Sequence, residues 1–282
     1  ESAPAFDTAM RVRAAGDLPL AWFGLFEKPE IVESPTESPP SSTLPWQWQP
    51  SVSENDYQRA IESIHRAISR GDTYQINYTF PREAPFDGDA RSLFDALVRG
   101  QQSRCCAFVD IGRWVLCSAS PELFFRLEAE RLASRPMKGT APRGRTLDED
   151  ERSAAWLQAS PKNRAENVMI VDMMRHDLGR IATPGSVEVS DLWQLEKYPS
   201  LFQLTSTVEA RTRAPLSEIF QALFPCASIT GAPKIRAMEI IADLETLPRG
   251  AYTGAIGYAA PGRKARFNVA IRTVQVDRQA GL

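Results

Sequence analysis

The chain has 282 residues, of which 43% are hydrophobic and 24% charged, as in an ordinary globular protein. Its formal net charge of −2 shows no basic excess, so a nucleic acid is not an expected partner. No apolar run approaches the ~20 residues of a membrane span and no signal peptide is visible, which predicts a cytoplasmic protein without a membrane partner.

The first fifty residues are predicted to form a partial N-terminal region, followed by a larger domain over residues 51–282. The apolar run Leu18–Phe26 predicts a strand within that region. The stretch from Glu27 to Pro50 is polar and rich in proline and serine, so we expect a mobile loop there.

The larger domain begins with an amphipathic pattern over Ser53–Arg70, which predicts a helix with Ser53 as its N-cap. Alternating residues over Asp72–Phe80 then predict a strand. Three later segments are also predicted strands, namely Arg113–Leu127, Gly254–Ala260 and Ala265–Val276. Strands thus occur early and late with helices between them, and no regular βαβ alternation is visible. This order predicts an α+β fold with antiparallel sheets and helices packed outside.

The segment Arg135–Gly144 carries a single lysine, Lys138, followed directly by Gly139 and Thr140 and flanked by prolines. Glycine permits close backbone approach, and proline stiffens the chain. A lysine in such a crowded segment can lose its solvation shell, which lowers its pKa and makes the amine a nucleophile. The alternative is a surface loop with a solvated lysine, which is the better interpretation of such a motif standing alone.

The strongest helical pattern covers Asn163–Leu178 and places Glu166 on the same stripe as Ile170 and Met173. A carboxylate on an inward apolar stripe must be protonated or paired with a cation. One interpretation is a buried salt bridge. The other is a ligand for Mg²⁺, which prefers oxygen donors.

Four further polar side chains stand among small or apolar residues. Ser228 precedes a predicted helix over Ile235–Leu244, whose N-terminus could bind an anion or simply be capped. Tyr252 lies in a glycine-punctuated turn. Arg272 is the only charge in the apolar segment Phe267–Val274 and needs an anion, for which a carboxylate is suited. The surroundings of Glu122 would raise its carboxyl pKa towards that of a general acid. Glu122 and Arg272 could instead belong to structural ion pairs.

Eight motifs occur in an order that resembles the chorismate-utilising enzymes, over roughly Asp56–Val276. They are GDTYQINYT, SPEL, RPMKGTAPRG, AENVMIVDMMRHDLGRI, QLTSTV, FPCASITGAPKIRAMEIIADLE, RGAYTGAIGY and FNVAIRT. A lysine at Lys138 is similar to the aminodeoxychorismate synthase component I branch, since anthranilate synthases usually have alanine there. Gln75 and Gln203 favour the same branch. Anthranilate synthase component I is the nearest alternative, and a non-catalytic chorismate-family module is a more remote one.

The resemblance implies a fold of two stacked antiparallel sheets with helices outside, in which residues 51–282 form the chorismate-binding catalytic domain. It implies Mg²⁺-dependent amination of chorismate to 4-amino-4-deoxychorismate for para-aminobenzoate and folate synthesis, with ammonia from a glutamine amidotransferase subunit. Lys138 would attack ring carbon C2, Glu122 would be the general acid and Glu166 a Mg²⁺ ligand. The implied substrate-binding residues are Gln75, Gly139, Thr140, Ser228, Tyr252 and Arg272. The family's C-terminal motif, which supplies further Mg²⁺ ligands, does not occur before Leu282, so the domain is expected to be truncated there.

Overall fold

The computed structural model describes residues 1–31 and 47–282. The part of the chain that it describes forms six helices, α1 to α6: Glu54–Ser69, Ala90–Gln101, Leu147–Ala159, Pro161–Gly179, Leu216–Leu223 and Lys234–Leu244. Its fourteen strands, β1 to β14, are Gln49–Pro50, Gln75–Ile76, Arg82–Glu83, Ala107–Asp110, Trp114–Ser118, Leu123–Glu128, Arg131–Arg135, Met137–Pro142, Glu188–Lys197, Leu201–Arg211, Gly231–Ala232, Ala255–Ala260, Lys264–Val269 and Thr273–Asp277.

The strands form antiparallel sheets, which confirms the predicted α+β class. Seven of them make one large sheet in the order β12-β13-β6-β7-β10-β8, with β9 paired to β10. Three make a small sheet in the order β14-β5-β4. The short pairs β1–β3 and β2–β11 complete the pairing in residues 1–31 and 47–282.

The main core lies between the large sheet and helices α4 and α5. Fully buried side chains from the sheet meet fully buried side chains from these helices, among them Phe124, Leu132, Val208, Ile170, Met174, Leu178, Ile219 and Leu223. Helix α2 covers the small sheet through Ala90 and Val115, and α3 packs on the edge of the large sheet through Leu157 and Leu204. Burial of this apolar area is the main force that fixes α4 against the large sheet, to which the strand that carries Lys138 belongs.

The three predicted helices are confirmed as α1, α4 and α6. Ser53 caps α1, and its hydroxyl accepts a hydrogen bond of 3.1 Å from the Asp56 amide. Helix α4 begins two residues before the predicted Asn163–Leu178 and ends one residue after it. Within residues 1–31 and 47–282, no helix is long and apolar enough to cross a membrane.

The strand predicted over Leu18–Phe26 is wrong. This segment lacks regular structure, and Phe23 and Leu25 are 86% and 99% exposed. A strand needs a neighbour to satisfy its backbone groups, and no strand in the described ranges pairs with this segment. The loop predicted after it lies mainly over residues 32–46, outside the described residues.

Two long predicted strands are each divided between the two sheets. Arg113–Leu127 splits into β5 of the small sheet and β6 of the large one, and Ala265–Val276 splits into β13 and β14 in the same way. The two points at which the chain crosses from one sheet to the other, here called the crossings, lie side by side. The Ala119 amide donates a hydrogen bond of 3.1 Å to the Arg272 carbonyl, and the Val269 amide donates one of the same length to the Glu122 carbonyl. Glu122 and Arg272 therefore lie where the chain passes between sheets.

The strand predicted over Asp72–Phe80 is reduced to β2, which pairs with β11. This pairing continues on either side of β2, since the Tyr74 amide donates to the Ala232 carbonyl and the Asn77 amide donates to the Thr230 carbonyl, each at 2.8 Å. The segment that carries Gln75 and Asn77 is thereby fixed to the loop that precedes α6.

Candidate active site

Lys138 lies in strand β8 at a bulge, rather than in the loop that its glycine and prolines suggested. Thr140 pairs with Gln203 and Met137 pairs with Thr205, so Lys138 and Gly139 together oppose Leu204 alone. Gly139 has a φ of +98°, in the left-handed region that favours glycine. A bulge of this kind bends the strand and redirects a side chain out of the regular ladder.

Lys138 is half-buried, and hydrogen bonds hold both its side-chain nitrogen and its backbone carbonyl. Its Nζ donates a hydrogen bond of 3.2 Å to Asn77 Oδ1, and its backbone carbonyl accepts one of 3.3 Å from Asn167 Nδ2. Burial lowers the pKa of Lys138, and electrostatic interactions with Glu122, Glu166 and Cys226 oppose that effect. The fraction of neutral amine is therefore larger than for an exposed lysine, as a nucleophile requires.

Glu122 is a buried carboxyl group with one strong hydrogen bond. Ser228 Oγ donates to Glu122 Oε1 at 2.5 Å, and only 3% of Glu122 is exposed. Burial raises the pKa of Glu122 to about 7, against the opposing effects of the Ser228 hydroxyl, the charge of Lys138 and the Met137 amide. The group is thus partly protonated near neutrality and can donate a proton.

Ser228 does not lie at the start of the helix that follows it. It belongs to a 3₁₀ turn, Ala227–Ile229, and helix α6 begins only at Lys234, with Pro233 as its N-cap. Ser228 thus precedes the helix, as predicted, but its hydroxyl is hydrogen-bonded to Glu122 rather than to the helix N-terminus. Contact of Ser228 with a substrate stays a prediction.

Arg272 does not lie in an apolar strand. It has a φ of +49°, lies between β13 and β14, is exposed, and its guanidinium donates to Gln101 Oε1. The argument that Arg272 needs an anion assumed burial and does not apply at a site open to water, so its pairing with a carboxylate stays a prediction. An exposed guanidinium beside the Glu122 segment is nevertheless available to an anionic ligand.

Glu166 lies at the margin of the α4 interface. Its side chain is 41% exposed and lies 3.9 Å from Lys162 Nζ, whereas Asn167 and Ile170 occupy the inward face. The predicted inward placement of Glu166 is wrong, since the buried face of α4 begins at Asn167 and Ile170 and leaves Glu166 at its edge. The alternative of a buried salt bridge is excluded by the same exposure, and Asp177 instead makes such a pair with Lys234 at 2.6 Å.

Magnesium commonly binds through one or two carboxylates together with water and substrate oxygens. In residues 1–31 and 47–282, no group of three or more histidine, cysteine, aspartate or glutamate side chains could hold a metal ion. The half-exposed Glu166 carboxylate, whose charge acts on Lys138, fits the role of a single protein ligand whose other partners are water and substrate.

Gln203 hydrogen-bonds to both residues that follow Lys138, since its Nε2 donates to the Gly139 carbonyl and its Oε1 accepts from Thr140 Oγ1, both at 2.9 Å. Gln75 has a buried Oε1 with no hydrogen-bond partner in the described structure. Tyr252 is 39% exposed, and burial raises its pKa, with Glu122 among the charges that act on it.

Sequence reasoning missed two asparagines. Asn77 contacts the Lys138 amine, and Asn167 contacts its backbone while accepting a hydrogen bond of 2.5 Å from Ser206 Oγ. The signal for Asn167 was present, since an amide lies on the buried face of α4 and is only 1% exposed. Asn77 carried no such signal, because it lies in a segment that reads as an ordinary alternating strand.

Residues 15–282 match the model of a family described as chorismate binding enzyme. The chain is 40% identical over 243 residues to aminodeoxychorismate synthase component 1 of Salmonella typhimurium, an alignment that covers 86% of this chain and 53% of the relative. It is 38% identical over 240 residues to an anthranilate synthase component 1 of Haloarcula marismortui, covering 84% of this chain and 49% of the relative. The chain thus spans about half the length of these curated relatives.

Among solved structures, anthranilate synthase component I from Streptococcus pneumoniae superposes on the chain with a TM-score of 0.77 at 29% sequence identity. That superposition covers 84% of this chain and 53% of the other. The agreement extends over most of the described elements, so the arrangement of sheets and helices around Lys138 is that of a known fold.

Proposed function

The chain belongs to the family of chorismate-binding enzymes, and from this premise we propose that it aminates chorismate at ring carbon C4 as component I of an aminodeoxychorismate synthase. The product is 4-amino-4-deoxychorismate, a precursor of para-aminobenzoate and folate. Because the chain spans about half of its relatives, the full activity, its substrates and its partner are part of this proposal. Ammonia comes from a glutamine amidotransferase subunit, in keeping with the name component 1 of the Salmonella relative.

The observation that carries the proposal is the Lys138 amine at the β8 bulge, next to a buried acid. The neutral amine forms a bond to C2 of chorismate, the two ring double bonds shift, and the bond from C4 to its hydroxyl breaks. The hydroxyl takes a proton and leaves as water. Ammonia then forms a bond to C4, the double bonds shift back, and the Lys138 amine is released from C2.

Glu122 supplies the proton for the leaving hydroxyl. A pKa of about 7 supports this role, since a general acid works best when its pKa lies near the working pH. The Ser228 hydroxyl fixes the direction of the Glu122 carboxyl group through their hydrogen bond. Burial favours the neutral form of both groups, so it lowers the pKa of Lys138 and raises that of Glu122.

Mg²⁺ would be held by Glu166 together with oxygens from the substrate and water, and it would neutralise charge on chorismate and assist departure of the hydroxyl. The exposed Arg272 guanidinium would pair with a chorismate carboxylate. Tyr252, Thr140, Gly139 and Gln75 complete the proposed binding surface.

Anthranilate synthase component I is the second candidate, and the Haloarcula relative supports it at 38% identity. That reaction needs no lysine nucleophile and releases pyruvate, so the presence of Lys138 argues against it.

Product analysis separates the two candidates. The full-length protein is incubated with chorismate, Mg²⁺ and ammonium, and the products are separated by chromatography with and without an added lyase. We expect 4-amino-4-deoxychorismate that yields para-aminobenzoate only when the lyase is present. Anthranilate and pyruvate without the lyase would instead establish the second candidate.

A further inference from the structure

Asn77 uses all four of its polar groups at the candidate active site. Its backbone amide and its side-chain Nδ2 both donate to the Thr230 carbonyl, at 2.8 and 3.2 Å. Its backbone carbonyl accepts from Arg249 Nη2 at 2.7 Å, and its Oδ1 accepts from Lys138 Nζ at 3.2 Å. Asn77 is therefore held at its backbone by Thr230 and Arg249 and at its side chain by Thr230 and Lys138.

These contacts also decide which way the Asn77 amide points. The Thr230 carbonyl can only accept a hydrogen bond, so the NH₂ group must face it and Oδ1 must face Lys138. Arg249, which donates to the Asn77 carbonyl, is itself held in place. It binds both carboxylate oxygens of the buried Glu245, at 2.6 and 2.9 Å. The oxygen that meets Lys138 cannot exchange places with the nitrogen without losing these bonds.

We propose that Asn77 is a positioning residue that takes an N–H of the Lys138 amine and so turns the nitrogen lone pair towards the bound substrate. An amide oxygen accepts but cannot donate, so the lone pair of the neutral amine is left unengaged by Asn77. The amide is also uncharged, so it orients the amine without stabilising the ammonium form as a carboxylate would. This inference rests on the proposed nucleophilic role of Lys138.

The groups around Lys138 explain why it matters for the pKa of the lysine that Asn77 carries no charge. The groups that act on the lysine are the Glu122 and Glu166 carboxyl groups and the Cys226 thiol, and all of them favour its protonated form. A further carboxylate in place of Asn77 would add to that effect and reduce the supply of neutral amine.

The test measures the Lys138 amine without any substrate. Wild type, Asn77→Asp and Asn77→Ala are acetylated with acetic anhydride at a series of pH values, and the modified peptides are quantified by mass spectrometry. Asn77→Asp should raise the pKa of Lys138 by about 1–3 pH units, since it places a negative charge beside the ammonium. Asn77→Ala should lower the pKa, because the ammonium loses an acceptor while its burial remains.

The alanine variant separates positioning from simple structural support. If Asn77 only held the segment together, its loss would admit water and move the pKa of Lys138 up towards that of a fully solvated lysine. A rise in Asn77→Ala, or an unchanged pKa in Asn77→Asp, would therefore overturn the proposal. Tyr74→Asp, which adds the same charge at a 71% exposed position of the same segment, serves as the control and should leave Lys138 unchanged.

Steady-state kinetics provide a second test of the role of Asn77. With chorismate and ammonium, Asn77→Ala should lower kcat by about 100-fold with KM within a few-fold, because a misplaced nucleophile slows chemistry more than binding. An unchanged kcat in Asn77→Ala would contradict the role. Failure of the proposed function can be told apart from failure of this inference. If only the proposed function fails, the wild type shows no amination of chorismate, while the acetylation of Lys138 in the three proteins stays as expected.

Discussion

The Ser228 hydroxyl donates a hydrogen bond of 2.5 Å to the carboxyl group of Glu122, which lies 106 residues earlier in the chain. The contact joins the turn before α6 to the crossing between the two sheets. It gives a buried carboxyl group a defined direction in surroundings that favour its protonated form.

Glu122→Gln should stabilise the protein at high pH and inactivate it. The pKa of Glu122 is raised from 4.5 to about 7 on folding, so the folded state binds the proton more tightly than the unfolded state does. Its contribution to the free energy of unfolding is full below pH ~4.5 and is lost as pH rises to ~7. Relative to wild type, Glu122→Gln should gain about 3 kcal/mol between those limits.

The measurement is urea denaturation of both proteins from pH 4.5 to 8, with Glu128→Gln as an exposed control on the same strand. Parallel pH dependences of wild type and Glu122→Gln would contradict the raised pKa. The kcat of Glu122→Gln should fall by about 10²–10⁴-fold, because an amide cannot donate the proton.

Glu166→Gln should weaken the response of activity to Mg²⁺ without unfolding the protein. Loss of a carboxylate ligand should raise the Mg²⁺ concentration for half-maximal activity by about tenfold or more. The Tm should change little, because the contact with Lys162 is long and exposed. Activity is titrated against Mg²⁺ alongside thermal melts, with Asp172→Asn on the same helix as the control. A wild-type Mg²⁺ response in Glu166→Gln would remove this residue from the proposed metal site.

Gly139→Ala should destabilise the bulge at Lys138. Gly139 has a φ of +98°, and an added Cβ would lie 3.1 Å from Asn163 Cβ and 3.2 Å from Leu204 Cδ1. We expect a loss of about 1–3 kcal/mol in the free energy of unfolding and a lower kcat. The control is Gly179→Ala at the end of α4, where no atom lies within 4 Å of the added Cβ, and stability there should rise by up to about 1 kcal/mol. Equal stabilities of the two variants, measured by urea denaturation, would mean that the bulge relaxes freely.

Arg272→Ala should reduce kcat/KM for chorismate by about 10–100-fold, as loss of a hydrogen bond between charged partners predicts. Arg272→Lys should recover part of this loss, because an ammonium cannot reproduce two parallel hydrogen bonds. Steady-state kinetics are compared with those of Arg278→Ala, an exposed arginine paired with Asp110. If Arg272→Ala matched that control, the guanidinium would have no part in substrate binding.

The elements predicted correctly depend on local pattern. Helices α1 and α4 follow from apolar periodicity and, for α1, from the Ser53 cap, all of which operate within a few residues. The two crossings between sheets could not be predicted in this way. Arg113–Leu127 and Ala265–Val276 each read as one strand, because membership of a sheet is decided by distant partners rather than by the residues themselves.

The difference between local pattern and distant partners also explains which residues of the candidate site could be predicted. Lys138 and Glu122 were found because a lysine beside glycine and a carboxyl group among apolar residues are locally unusual. The position of Glu166 at the edge of the buried face of α4 could not be predicted, since the limits of that face are set by the sheet below and not by periodicity alone. Asn77 was missed because its importance comes from Lys138, 61 residues later in the chain.

The most direct test of the central claim is the mass of the full-length protein after incubation with chorismate and Mg²⁺ in the absence of ammonia. We predict a covalent adduct with the added mass of chorismate less one water, located on the Lys138 peptide by fragmentation and absent from Lys138→Ala. Addition of ammonium should discharge it as 4-amino-4-deoxychorismate, and Lys138→Ala should lose several orders of magnitude in kcat, whereas Lys162→Ala should not. Amination of chorismate at the wild-type rate by Lys138→Ala would contradict the account.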